Sequence, residues 1–168
     1  MNFNNFTIKA QEAIQKAVEI TKNNGSQAIE PIHLLKGVMS EGESLVNFLF
    51  SKVGANASLV AQSVERDIES QPKVSGGEPY LSRTSNDVLQ KALDIAKKMG
   101  DEYVTLEALL LAIYAVNSSA STILKDAGLS EAELKSAIEE LRKGRKATDQ
   151  SAEDTYNALS KYAINLNE

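Results

Sequence analysis

Apolar side chains recur at every third or fourth position over most of the chain. Ala10, Ala13, Ile14, Ala17, Val18 and Thr21 form one stripe of an amphipathic helix, and Gly25 stands where such a helix ends in a left-handed residue. The same stripe returns as Val88, Leu89, Ala92, Leu93, Ala96 and Met99 and ends at Gly100, with Thr84-x-x-Asp87 as a capping box at its start. Each is followed by a short, strongly apolar helix, over about 31–39 and about 105–116. Pro31 suits a first helical position, where its missing N–H is not needed. Third helices are predicted near 45–52 and 121–127, closed by Gly54 and Gly128. Fourth helices run over about 56–68 and 130–141, the latter behind the cap Ser130-x-x-Glu133. No segment alternates with the two-residue period of a strand, and Phe48-Leu49-Phe50 is too short to count as one. The pattern is all-α.

These eight helices are two copies of four. Residues 7–39 align without a gap on 82–114, an offset of 75. The identical pairs are Gln15/Gln90, Lys16/Lys91, Ala17/Ala92, Ile20/Ile95, Lys22/Lys97, Gly25/Gly100, Leu34/Leu109 and Leu35/Leu110. Eight identities in 33 positions compare with roughly two expected from ordinary residue usage. With one residue dropped, Val53-Gly54 meets Ala127-Gly128 and Val64-Glu65 meets Ile138-Glu139. The expected architecture is therefore two four-helix repeats about a pseudo-two-fold axis, forming a domain over 1–143. Repeat 1 spans about 1–70, a surface connection with Pro72, Gly76, Gly77 and Pro79 spans 71–81, and repeat 2 spans about 82–143. A polar linker is expected at 144–150. A further helix is expected to begin within 151–168, with Ser151-x-x-Asp154 as its cap and Tyr156, Leu159, Ala163 and Leu166 on its apolar face. It has no counterpart in either repeat, so its face is expected to pack on chain beyond Glu168.

Composition removes several chemistries. The chain is long enough for a core that needs no staples, and the absence of cysteine excludes disulfides, thiolate nucleophiles and Cys-ligated metals. The net charge of −5 is spread evenly, which leaves no basic face for a phosphate backbone; nucleic acid is not expected as a partner. Arg142-Lys143 with Arg145-Lys146 is the one basic cluster and reads as a solvated helix end. No window approaches a membrane span and no leader segment is evident, so a cytoplasmic location without membrane contact is expected.

Catalysis is not expected of this segment. His33 is the single histidine, and its counterpart in the second copy is Ala108, so a packing role is favoured. No G-x-x-x-x-G-K-[ST] loop occurs, and Gly76-Gly77 lacks the flanking strand and helix of a phosphate cradle. Asp101-Glu102 and Glu139-Glu140 are adjacent pairs, which do not face each other on a helix. No cluster points to a metal or a cofactor. Binding remains. The seam between two repeats is a natural groove. Helix starts at Thr7 and Ser82 would sit at symmetry-related places, although capping alone also accounts for both. Phe3 and Phe6, just before the first helix, form either a hydrophobic staple or, with Ser82, the rim of that groove.

The two halves, FTIKAQEAIQKAVEITKNNGSQAIEPIHLLKGV and SNDVLQKALDIAKKMGDEYVTLEALLLAI, resemble the Clp N-terminal domain, two four-helix repeats that precede the AAA+ ATPase modules of Clp chaperones. The stretch Ala147-Thr148-Asp149-Gln150, followed by SAEDTYNALSKYAINLNE, resembles the ClpB-type disaggregases in particular, where this element leads into the first ATPase module. The resemblance implies a substrate-binding domain that passes unfolded or aggregated polypeptide to a hexameric, ATP-driven ring working with a DnaK-type chaperone system. ATP and magnesium would act in modules outside this segment, and the isolated segment would be a monomer. The resemblance places substrate contacts on Thr7, Leu89, Asp101 and Glu107, and on Ala108, where the family carries leucine. On that reading Leu89→Gln weakens aggregate binding and leaves the fold intact.

The alternative is an adaptor- or substrate-docking N-domain of the ClpA or ClpC type, which feeds a protease. ClpC-type relatives carry Thr-Glu-His at the start of each second helix, and the acid helps to hold phosphoarginine. The corresponding triplets here are Glu30-Pro31-Ile32 and Thr105-Leu106-Glu107, with Pro31 and Leu106 at the acidic positions. This departure favours the ClpB type.

Overall fold

A computed structural model of the chain describes residues 3–74 and 76–153. Among these, eight α-helices follow the predicted order: α1 (Ile8–Asn23), α2 (Pro31–Glu41), α3 (Glu43–Val53), α4 (Ala57–Glu69), α5 (Arg83–Lys98), α6 (Leu106–Ala115), α7 (Ser119–Asp126) and α8 (Glu131–Arg142). Their starts are set by short polar side chains that accept the otherwise orphaned first-turn amides. The Thr7, Asn56, Thr105 and Ser130 side chains accept from the backbone N–H of Ala10, Leu59, Ala108 and Glu133 at 3.1–3.2 Å. The cap of α5 is Ser82, which accepts from Ser85 N–H at 3.1 Å, so Thr84 and Asp87 lie inside the helix and their expected box is not used. Ser82 is the repeat counterpart of Thr7, and both hold the same extended backbone. The α2 cap explains His33: Glu30 N–H donates to its Nδ1 at 2.9 Å. Burial lowers the His33 pKa to about 4 against the raising influence of Asp67, and the ring is neutral at pH 7. The expected helix at 151–168 lies outside the described residues from position 154 onward.

The sequence shows no strand, yet the structure contains two. β1 (Ala28–Ile29) and β2 (Tyr80–Leu81) pair in parallel, and Phe6 forms an isolated parallel bridge with Val104. Residues 6 and 81, and residues 29 and 104, are related by the offset of the repeat. The segment leading into the first helix of each repeat therefore lies against the loop before the second helix of the other. Thr7 N–H donates to Val104 C=O at 2.9 Å and Ser82 N–H to Ile29 C=O at 3.1 Å. Two residues are too few to produce a visible alternation, which is why the sequence does not announce this pairing.

The packing repeats the same exchange. α1 packs on α2 and α5 on α6; across the seam α2 meets α6, α3 meets α8 and α4 meets α7. α6 is buried at every position from Leu106 to Ile113, as befits an apolar helix at the centre of the molecule. α2 comes so close to α1 that a Cβ at Gly37 would run into the Ala13 carbonyl oxygen. A backbone obstacle cannot rotate away. Gly37→Ala is expected to destabilise the domain by about 1–3 kcal/mol, read as a lowered midpoint of thermal unfolding.

Candidate functional site

Among the described residues, the one concentrated piece of buried polar chemistry is built around Arg142, in the last turn of α8. Its side chain is only 2% exposed. Nη1 donates to both Asp101 carboxylate oxygens at 2.8 Å, Nε donates to Glu107 Oε2 at 2.9 Å, and Nη2 donates to Thr105 Oγ1 at 3.0 Å. The planar fork of a guanidinium suits this task, which an ammonium could not reproduce. Asp101 arrives from the loop after Gly100, whose positive φ of 79° allows the turn. Thr105 is the α6 cap and Glu107 lies in that helix's first turn, where the helix dipole favours a carboxylate. The expectation of a solvated helix end holds for Lys143, Arg145 and Lys146, which are exposed, but not for Arg142.

The segment after α8 is tied to the same place. Residues 144–150 form no helix; the segment touches the domain at Ala147 and Gln150, while positions 144–146, 148 and 149 are exposed. Ala147 is fully buried; its N–H donates to Asp101 Oδ1 at 2.9 Å, and its C=O accepts from Glu102 N–H at 2.9 Å and Tyr103 N–H at 3.3 Å. Gln150 C=O accepts from Ile8 N–H at 2.8 Å. Glu153, 1% exposed, then inserts its carboxyl between the N-termini of α1 and α6. Its Oε2 accepts from Thr7 Oγ1 at 2.7 Å and from Leu106 N–H at 2.9 Å. Burial pushes the Glu153 pKa up to about 7 and the Glu107 charge adds to the rise, outweighing the lowering pull of these two hydrogen bonds.

The residues singled out from the sequence fall as follows. Thr7, Asp101 and Glu107 belong to this network, while Leu89 and Ala108 are fully buried in the apolar core. None of the five side chains faces solvent. Phe6 is also core, 1% exposed, and meets the half-buried Phe3 edge-on at 5.4 Å; neither position forms an open rim. Ser82 is half-buried and occupied as the α5 cap. Sequence reasoning missed Arg142 and Glu153. The former was legible only as part of a basic run, and the latter falls in the first turn of the helix expected over 151–168, off the apolar face named for it.

A groove does cross the seam, at a different place. Between α4 and α7 an open cleft of about 390 Å³ has Leu59, Val60, Ile123 and Ala127 on its walls, with Arg66 and Asp126 beside them. Leu59 is 58% exposed, the largest exposure among the large apolar side chains described.

Comparison with known proteins points one way. The sequence pattern of the Clp repeat (R) N-terminal domain matches residues 5–127. The chain is 63% identical over 168 residues to the chaperone protein ClpB of Bacteroides thetaiotaomicron, covering all of this chain and 20% of that relative. It is 61% identical over 166 residues to ClpB of Porphyromonas gingivalis, covering 99% of this chain and 19% of the relative. The chain thus spans about a fifth of the length of the curated relatives it matches. Among solved structures, the Hsp104 N-terminal domain from Candida albicans superposes with a TM-score of 0.79 at 25% identity, covering 89% of this chain and 99% of that one. The N-terminal domain of the caseinolytic protease associated chaperone ClpD from Arabidopsis thaliana gives a TM-score of 0.63 at 25% identity, covering 82% and 94%.

Two substitutions test these placements. Arg142→Met strands Asp101 and Glu107 as buried carboxylates and is expected to destabilise the fold by about 3–5 kcal/mol, read as a shift of the urea midpoint. Leu89→Gln exchanges core contacts for a buried amide, so it is expected to remove about 3 kcal/mol or more of stability instead of leaving the fold intact. An unchanged urea midpoint for Leu89→Gln would place Leu89 outside the core.

Proposed function

Because the chain belongs to the Clp repeat N-terminal domain family, we propose that it is the polypeptide-engaging N-domain of a ClpB-type disaggregase. The observation that carries this reading is the alignment at 63% identity along the whole chain with a ClpB chaperone. The superposition on the Hsp104 N-terminal domain, better than that on the ClpD domain, supports the disaggregase branch over the protease-associated one. In the longer protein, unfolded or aggregated polypeptide would pass from this domain to a hexameric, ATP-driven ring that works with a DnaK-type system in the cytoplasm. ATP and magnesium would act in that remainder, and the domain alone would be a monomer.

The accessible surface that suits a client is the α4–α7 groove, with its apolar walls and one charge of each sign at its side. The five residues carried over from the family would support binding from within, by holding the repeats in register, and not by direct contact. An extended segment laid in the groove would bury roughly 200–400 Å² of apolar surface, worth about 5–10 kcal/mol gross. Ordering a flexible client consumes most of that, so single-site affinity is expected to be micromolar or weaker, with avidity supplied by six copies.

The test is an NMR titration of the labelled chain with a reduced, unfolded model polypeptide. Shifts are expected at Leu59, Ile123 and Ala127, and Leu59→Arg is expected to abolish them with an unchanged melting temperature, since Leu59 is mostly exposed. Saturating polypeptide without shifts along α4 and α7 removes this surface from the proposal and returns adaptor docking to the front.

A further inference from the structure

Residues 147–153 are held by the donors that an extended peptide ligand would use. Their carbonyl groups take the backbone N–H of Glu102, Tyr103 and Ile8, and the Glu153 carboxyl takes the Leu106 N–H and the Thr7 hydroxyl. The segment occupies, in cis, a cleft between the N-termini of α1 and α6. At its end the Glu153 carboxyl is buried with one oxygen, Oε1, that finds no hydrogen-bond partner among the described residues. A fully charged carboxylate is poorly served there, because its second oxygen has lost water and gained nothing.

We propose that residues 147–153 are a reversible latch, closed when Glu153 carries a proton and opened by its ionisation. Among the described residues, the groups that meet Glu153 are the hydroxyl of Thr7, the cap of α1, and the Leu106 amide and the Glu107 carboxylate of α6. Arg142, from α8, joins Asp101, Thr105 and Glu107 behind them. The carboxylate of Glu107 sets a like charge beside Glu153 and repels its ionised form. An added proton relieves that; ionisation aggravates it.

The sign follows from the direction of the shift. Undocked, Glu153 titrates near the ordinary 4.5, and docked near 7. Below 4.5 both states are protonated and docking is strongest. As pH rises through this window the undocked state ionises first, and docking weakens until about pH 7, by a factor on the order of 100. Opening frees the Ile8, Glu102, Tyr103 and Leu106 amides and pays out residues 144–153 as tether, roughly 30 Å of extended chain at about 3.3 Å per residue. The domain would then search a wider volume about whatever follows. This latch goes beyond the client reading and would stand even if the α4–α7 groove bound nothing.

The test is hydrogen exchange of the full chain at pH 5.5, 7 and 8.5, corrected for intrinsic rates, with Leu109 and Ala17 amides as core controls. In the native sequence, protection of the Ile8, Tyr103 and Leu106 amides is expected to fall at least tenfold across this range while the core controls stay constant. Glu153→Gln, which keeps both hydrogen-bond acceptances without the charge, is expected to stay docked with a flat profile, and Glu153→Ala to be open throughout. A flat profile in the native sequence, the same slope in Glu153→Gln, or an open Glu153→Gln would each overturn the latch.

Discussion

The buried guanidinium of Arg142 is the constraint on which the second half of the molecule depends. A cation removed from water must be met by carboxylates with well-formed hydrogen bonds, or the fold loses several kcal/mol. Asp101, Glu107 and Thr105 meet it, and each also serves a neighbour: Asp101 receives the Ala147 amide, Thr105 caps α6, and Glu107 sets the electrostatic environment of Glu153. One side chain at the end of α8 thereby fixes the loop before α6, the α6 N-terminus and the path of the chain after the domain. The two carboxylates are what α8 needs in order to end indoors.

The first repeat solves the same geometry without charge. By the repeat offsets, Asp101, Glu107 and Arg142 correspond to Ser26, Ile32 and Ile68, all buried, and the last two apolar. The segments leaving the two repeats differ accordingly. After α4 the chain runs to β2, which pairs beside β1; after α8 the equivalent edge at Val104 is already taken by Phe6, and the chain instead crosses to the α1 N-terminus. A polar interior beneath that crossing gives it acceptors and donors to bind. Duplication supplied two equal halves, and the position of the chain ends made them unequal.

This inequality separates the two surfaces to which the proposals assign function. The α4–α7 groove offers apolar side chains with few committed hydrogen bonds, which suits weak contact with many sequences. The cleft between α1 and α6 offers backbone donors in a fixed order and is filled by the chain's own residues. A domain that engages clients loosely and is itself held loosely to a ring would use the first for contact and the second for reach.

Helix number, helix order and most boundaries were legible in the sequence, because 3.6-residue periodicity, caps such as Thr7 and Ser130, and the glycines at 25, 54, 100 and 128 act within a few residues of where they stand. The duplication was legible too, and with it the pseudo-two-fold arrangement. The exchange of lead-in segments between repeats was not, since a two-residue pairing leaves no period to read. The candidate site was legible only in part: Thr7, Asp101 and Glu107, named through the resemblance, belong to it. Leu89 and Ala108, which the resemblance places at substrate contacts, are buried in the core, while Arg142 looks like one charge of a solvated run and Glu153 like a surface position of the helix expected over 151–168. Whether a charged side chain is solvated or buried depends on partners 35 to 146 residues away, such as Glu107 for Arg142 and Thr7 for Glu153. Local chemistry determined the elements; only the packing of α8 against the loop before α6, and of the segment after α8 across the N-termini of α1 and α6, decided which polar groups would lose their water.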